Sequence, residues 1–77
     1  MTSVVFGTDG LFAKVLYDRK AGMCVLYCNS IIYLPDALAL VRTLNADQVI
    51  IIAPTGTQHL FEDLIPQVEL AIYEQTT

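Results

Sequence analysis

Two short groups of residues in this sequence are of types that can do chemistry. The first is Ala53-Pro54-Thr55-Gly56-Thr57, set between a β-branched apolar run and the start of a helical pattern. A strand that turns through glycine into a helix start gathers backbone N–H groups and the positive helix end at one point. Such a point holds a phosphate or a carboxylate. In open α/β sheets, loops at the carboxyl ends of strands are also where ligands sit. Thr55 and Thr57 add hydroxyls, and Gly56 lets backbone approach a ligand closely. The second group is His59, the only histidine, with Glu62 and Asp63 three and four residues on. On a helix those spacings place all three within reach of one another. A histidine beside a carboxylate is the raw material of a general base or a metal ligand. One histidine and two carboxylates on a single turn nonetheless make a poor zinc site, and no cysteine lies near them. These residues therefore point to a small-ligand or anion site at Thr55, Gly56, Thr57 and His59, with no catalytic residue, metal or cofactor assigned. The simpler reading is an ordinary strand-to-helix turn with a threonine cap and an exposed histidine.

The run Ile52-Ala53-Pro54-Thr55-Gly56-Thr57 resembles the opening of the helicase-type phosphate loop, whose pattern is A-P-T-G-x-G-K-T. The resemblance ends after these residues. Gln58 stands where the second glycine belongs, His59 where the lysine belongs, and Leu60 where the hydroxyl residue belongs. Without the glycine the loop cannot cradle phosphates in that way, and without the lysine the charge is missing. A nucleotidase domain also needs more than 77 residues, so that reading is set aside.

Cys24 and Cys28 share one face of a strand but lie roughly 13 Å apart there, beyond the reach of a disulfide. They read as small buried apolar residues. Asp9, Asp18 and Asp36 read as turn or cap residues. Tyr17, Tyr27, Tyr33 and Tyr73 are of the type enriched at interfaces, and equally able to fill a core.

Composition narrows the function classes. Hydrophobic residues make up 55% of the chain and charged residues 16%, which excludes a disordered tail. The net charge of −4 comes from eight acids against four bases, and the bases Lys14, Arg19, Lys20 and Arg42 form no run beyond one pair. A nucleic-acid binder needs clustered cations, so nucleic acid is not an expected partner. No apolar run approaches the roughly 20 residues that span a bilayer, and no signal peptide is recognisable. The expected location is the cytoplasm, with both thiols reduced.

The elements that would carry these residues follow from hydrophobic period. Val4–Phe6 reads as a short strand, Leu11–Tyr17 as a second and Met23–Cys28 as a third, joined by the polar loop Asp18–Gly22. Asn29-Ser30 reads as a turn, with Ile31–Leu34 pairing after it; one bent strand from Met23 to Leu34 is the alternative. Pro35–Leu44 has helical period, with Pro35 and Asp36 suited to its start and Asn45 to its end. Gln48–Ala53 is apolar on both sides, as in a central strand with a parallel neighbour. A helix is expected from Thr57 through Ile65, with Leu60, Phe61 and Leu64 inward. Pro66 should interrupt it. Gln67–Glu74 alternates as a strand, with a helix from Pro66 as the alternative. The expected fold is a single α/β domain, with α+β as the variant. It holds a small mixed sheet of four or five strands and two helices in the order β-β-β-(β)-α-β-α-β.

Two short helices shield about one face of such a sheet, yet the strands are apolar on both faces. Met23, Val25 and Tyr27 alternate with Cys24, Leu26 and Cys28, while Phe12, Lys14 and Leu16 alternate with Leu11, Ala13, Val15 and Tyr17. The uncovered face is then an interaction site. The expected function is a small non-enzymatic interaction module, either a homodimer or a regulatory subunit docking on a larger protein, with Tyr17, Met23, Val25, Tyr27 and Tyr33 at the interface. The competing arrangement places one helix on each side and completes the core in a monomer.

Overall fold

The computed structural model describes residues 1–8 and 10–63 together with the backbone of residues 68–73. Asp9, Leu64, Ile65, Pro66 and Glu74 lie outside the described residues, and so do the expectations placed on them. The strands are β1 (Thr2–Gly7), β2 (Phe12–Asp18), β3 (Met23–Cys28), β4 (Gln48–Pro54) and β5 (Val68–Tyr73), with one helix, α1 (Leu34–Leu44), between β3 and β4. They form a single mixed sheet in the order β1-β2-β3-β4-β5. The first three strands are antiparallel neighbours, whereas β3–β4 and β4–β5 are parallel. The fold is thus a small mixed α+β arrangement. The doubly apolar Gln48–Pro54 occupies the central parallel position that its composition predicts. The segment after Pro66 is a strand, not a second helix.

Strand register separates the two faces. On one face Ala13 pairs with Cys28 and Val15 with Leu26; Cys24 then pairs with Val49 and Leu26 with Ile51. All of these are buried, together with Leu34, Ala37, Leu38 and Val41 of α1. Pro35 sits in the first turn of the helix, Asp36 favours its positive end and Arg42 its negative end. Asn45 closes it in the left-handed region at φ 51° and ψ 47°.

The expected pairing of Ile31–Leu34 as a strand is not what forms. The Leu34 N–H donates to the Ile31 carbonyl (3.3 Å) and the Ile32 N–H to Ser30 Oγ (3.3 Å), which curls the chain directly into α1. Ile31 and Ile32 are left more than half exposed, at 56% and 58%.

The second helix is also absent among the described residues. In its place Gln58–Leu60 makes a 3-10 turn, which Phe61 interrupts at φ −136°, outside helical space. The physical cause is local. The Thr57 hydroxyl donates back to the Pro54 carbonyl (2.8 Å) and does not cap forward, a competition with helix geometry that threonine readily wins. Phe61 then drops, fully buried, into the cluster that holds α1. Leu60 and Phe61 therefore cover the same face as α1.

Asn29 ties the first hairpin to the end of β3. Its Oδ1 accepts from the Phe12 N–H (2.9 Å), its Nδ2 donates to the Gly10 carbonyl (3.0 Å), and its own N–H donates to the Phe12 carbonyl (3.2 Å). At the start of that hairpin Gly7 has φ 102°, and a Cβ there would meet both the Leu11 carbonyl oxygen and the Tyr33 ring. Gly56 also has positive φ, 87°, but opens onto free space. Gly7→Ala is therefore expected to lower stability by about 3 kcal/mol and Gly56→Ala by about 1 kcal/mol. Urea denaturation of the two variants checks this; equal losses would contradict the packing assigned to Gly7.

Candidate functional site

The 53–57 turn places its chemical groups, but turns them inward. Thr57 is buried at 4% exposure, with its hydroxyl committed to Pro54. His59 Nδ1 lies 3.0 Å from the Gly56 carbonyl, so the ring donates within its own turn. Thr55 and Gly56 are exposed. The following Leu60 and Phe61 N–H groups donate to the Thr57 and Gln58 carbonyls. A single 3-10 turn of this length has too few aligned peptides to build a macrodipole. The residues expected to form an anion site are adjacent, yet their donors are largely satisfied locally.

His59, Glu62 and Asp63 are not brought together as a functional group. Asp63 instead meets Arg42 of α1, twenty-one residues away in sequence. Arg42 Nε donates to Oδ2 (2.8 Å) and Nη2 to Oδ1 (2.9 Å), a two-pronged pair, with Nη2 also 3.4 Å from the Leu60 carbonyl. The hydrogen bonds from Arg42 hold the Asp63 carboxyl below its usual range, and Asp63 in turn raises Arg42. The pair fastens the β4–β5 connection to the helix. Among the described residues, no three of histidine, cysteine, aspartate and glutamate gather to hold a metal, and no cavity is enclosed. Cys24 and Cys28 are free thiols on the buried face, and burial pushes both upward, so they are protonated at neutral pH.

The opposite face of the sheet has a different character. Here Lys14 pairs with Tyr27, Leu16 with Val25 and Asp18 with Met23. Val25 pairs onward with Ile50, and Tyr27 with Ile52. Phe12 and Tyr27 stack at a tilt, their ring centroids 5.7 Å apart. Each of these residues is part-buried by its neighbours within the sheet, and Val5 of the outer strand is 58% exposed. Among the described residues, α1 and the Phe61 connection both lie on the other side, so no element covers this open face. Of the five expected interface residues, Met23, Val25 and Tyr27 stand here. Tyr17 and Tyr33 do not: both pack against the helix-side cluster. Tyr17 alternates onto the buried side of β2, and Tyr33 precedes α1 and does not lie in a strand. Phe12, Leu16, Ile50 and Ile52 complete the face. Their alternation was visible in sequence, but strand register was needed to join them.

No helix among the described residues is long and apolar enough to cross a membrane. No protein-family model, curated protein or solved structure matches the chain.

The Arg42–Asp63 pair gives a pH-dependent prediction. Because the folded Asp63 value is depressed, the stability it adds is present above the unfolded carboxylate range, about pH 4, and is lost as pH falls through the folded value. The pair is exposed, so the effect is small. Asp63→Asn should lower the urea midpoint at pH 7 and converge with the parent protein at pH 2. An equal difference at both pH values would contradict the assignment.

Proposed function

We propose that the chain is a non-enzymatic protein-interaction module acting through the open face of its sheet, which a second copy covers in a homodimer. One observation carries this reading: the face across β2, β3 and β4 is predominantly apolar, and among the described residues α1 and Phe61 both lie on the other side. Three strands about 4.8 Å apart and about six residues long, at about 3.3 Å per residue, give a footprint of roughly 300 Å2 per copy. A symmetric pair over these strands hides roughly 600 Å2, the size of a weak or transient contact. The dimer is accordingly weak and dissociates on dilution.

Docking on a larger protein is the other use of the same face. The anion-binding alternative draws less support, because the Thr57 hydroxyl and the His59 ring are engaged within their own turn.

Light scattering across a concentration series tests the proposal. The expected mass approaches twice the 8.5 kDa of one chain as concentration rises. Val25→Asp, which sets a charge in the middle of the open face, should hold the mass at one chain while the circular dichroism stays native. A wild-type protein with the mass of one chain at every concentration, and no binding of an apolar dye, would overturn the homodimer.

A further inference from the structure

We infer that the outer edge of β1 is a second interaction surface, where β1 of another copy adds antiparallel to the sheet with Val5 against the partner's Val5. The inference stands apart from the open-face reading, because it uses backbone groups at the edge of the sheet and not side chains on its face.

One hydrogen bond sets which backbone groups of β1 are free. The Thr8 N–H donates to the Leu11 carbonyl (3.1 Å), so these two residues form a hydrogen-bonded position just beyond the β1–β2 ladder. In an antiparallel ladder bonded positions alternate with unbonded ones. The one-to-one register then makes Phe6–Ala13, Val4–Val15 and Thr2–Tyr17 the bonded positions, with Gly7–Phe12, Val5–Lys14 and Ser3–Leu16 between them. The Asn29 N–H agrees, since it donates to the Phe12 carbonyl and so shows Phe12 turned toward β3. Ser3, Val5 and Gly7 therefore direct their N–H and C=O groups away from β2. Among the described residues no strand lies beyond β1 to receive them.

Exposed edge strands are commonly guarded by a charge, a proline or a bulge. Thr2–Gly7 is uncharged, contains no proline and pairs residue for residue with β2. The edge strand at the other side of the sheet, β5, carries Glu69. The side chains of β1 are also short of cover. α1 packs over β2 and β3, and Val4 and Phe6 stay part-buried at the margin of its core, while Val5 is 58% exposed.

The symmetry of the free groups argues for a second copy. Ser3, Val5 and Gly7 are spaced evenly about Val5, so an antiparallel self-pair sets Val5 against the partner's Val5 and Ser3 against the partner's Gly7. Every outward N–H and C=O of both strands is then matched, the main-chain contribution on which strand addition relies. Between these positions Val4 meets the partner's Phe6, apolar on apolar, on the helix side. Like charges stay apart: the two Lys14 residues flank the pair three strand spacings from each other, roughly 14 Å, beyond the screening length. The two α1 helices lie on one side of the joined sheet, about four spacings or roughly 19 Å apart, wider than a helix with its side chains. The contact is a strip of about six residues at about 3.3 Å each and about 10 Å thick, roughly 200 Å2 per copy. That is smaller than the open-face footprint, so the edge fills at higher concentration than the face.

Residue-resolved amide hydrogen exchange across a concentration series tests the inference. In separate chains the Ser3, Val5 and Gly7 amides exchange freely while Val4 and Phe6 are protected; edge pairing should slow the first three by about tenfold at high concentration. Val25→Asp, which closes the open face, should keep that protection. Val5→Pro loses no bond within its own chain, because the Val5 N–H points outward, but it blocks the edge; Ser3 and Gly7 should then exchange freely at every concentration. Ser3→Pro, read at Val5 and Gly7, serves if Val5→Pro does not fold. Within Val25→Asp, Val5→Cys should cross-link two chains under a mild oxidant about tenfold faster than Ser3→Cys, since Val5 meets itself and Ser3 does not. Equal rates would overturn the register. Free exchange at Ser3, Val5 and Gly7 at every concentration would overturn the edge contact and leave the open-face dimer standing. Protection that Val25→Asp abolishes, or that the proline variants leave intact, would overturn it as well.

Discussion

The structure turns on an imbalance between apolar surface and cover. Every central strand carries apolar side chains on both faces, but among the described residues one helix and one buried phenylalanine cover them. Leu34, Ala37, Leu38 and Val41 of α1, and Phe61 from the following connection, all enter a single cluster on one side. The cover is concentrated, so that side is a dry core with Cys24, Leu26, Cys28 and Ile51 at essentially zero exposure. Among the described residues, the other side keeps only the shielding that neighbouring side chains give one another within a sheet. A small domain has little stability to spare, so an arrangement that leaves this much apolar surface wet favours association.

Much of the fold was legible in the sequence, because period and punctuation are local signals. The alternation in Leu11–Tyr17 and Met23–Cys28 signals the hairpin, the change to helical period from Pro35 signals α1, and Asn45 marks its end. The doubly apolar Gln48–Ala53 announces a central parallel strand. The failures come from residues whose local bonds compete with the wider pattern. Thr57 reads as a forward cap, but its hydroxyl turns back to Pro54, and among the described residues the helix expected after it gives way to 3-10 geometry broken at Phe61. Ile31 and Ile32 are β-branched and read as a strand, but Ser30 and the approach to Pro35 curl them into the start of α1.

The candidate site was legible in part for the same reason. Strict alternation separates Met23, Val25 and Tyr27 from the buried cysteines without any knowledge of tertiary structure. Tyr17 and Tyr33 were grouped with them by residue type, which says nothing of the face on which a side chain falls. The rows that make up the open face need register between strands: nothing local tells that Leu16 stands beside Val25, or Val25 beside Ile50. The Arg42–Asp63 pair was invisible for a similar reason, since its partners meet only once the β4–β5 connection has folded over α1.

The claim on which this account depends is that the open face is covered in solution and the helix-side face is already complete. Backbone amide chemical shifts followed on serial dilution test it residue by residue. The account predicts concentration-dependent shifts at Leu16, Val25, Tyr27 and Ile50, steady shifts at Leu38 and Val41, and tumbling that quickens as the pair separates. Shifts that stay constant at Leu16, Val25 and Ile50, with the rotational correlation time of one chain throughout, would contradict it.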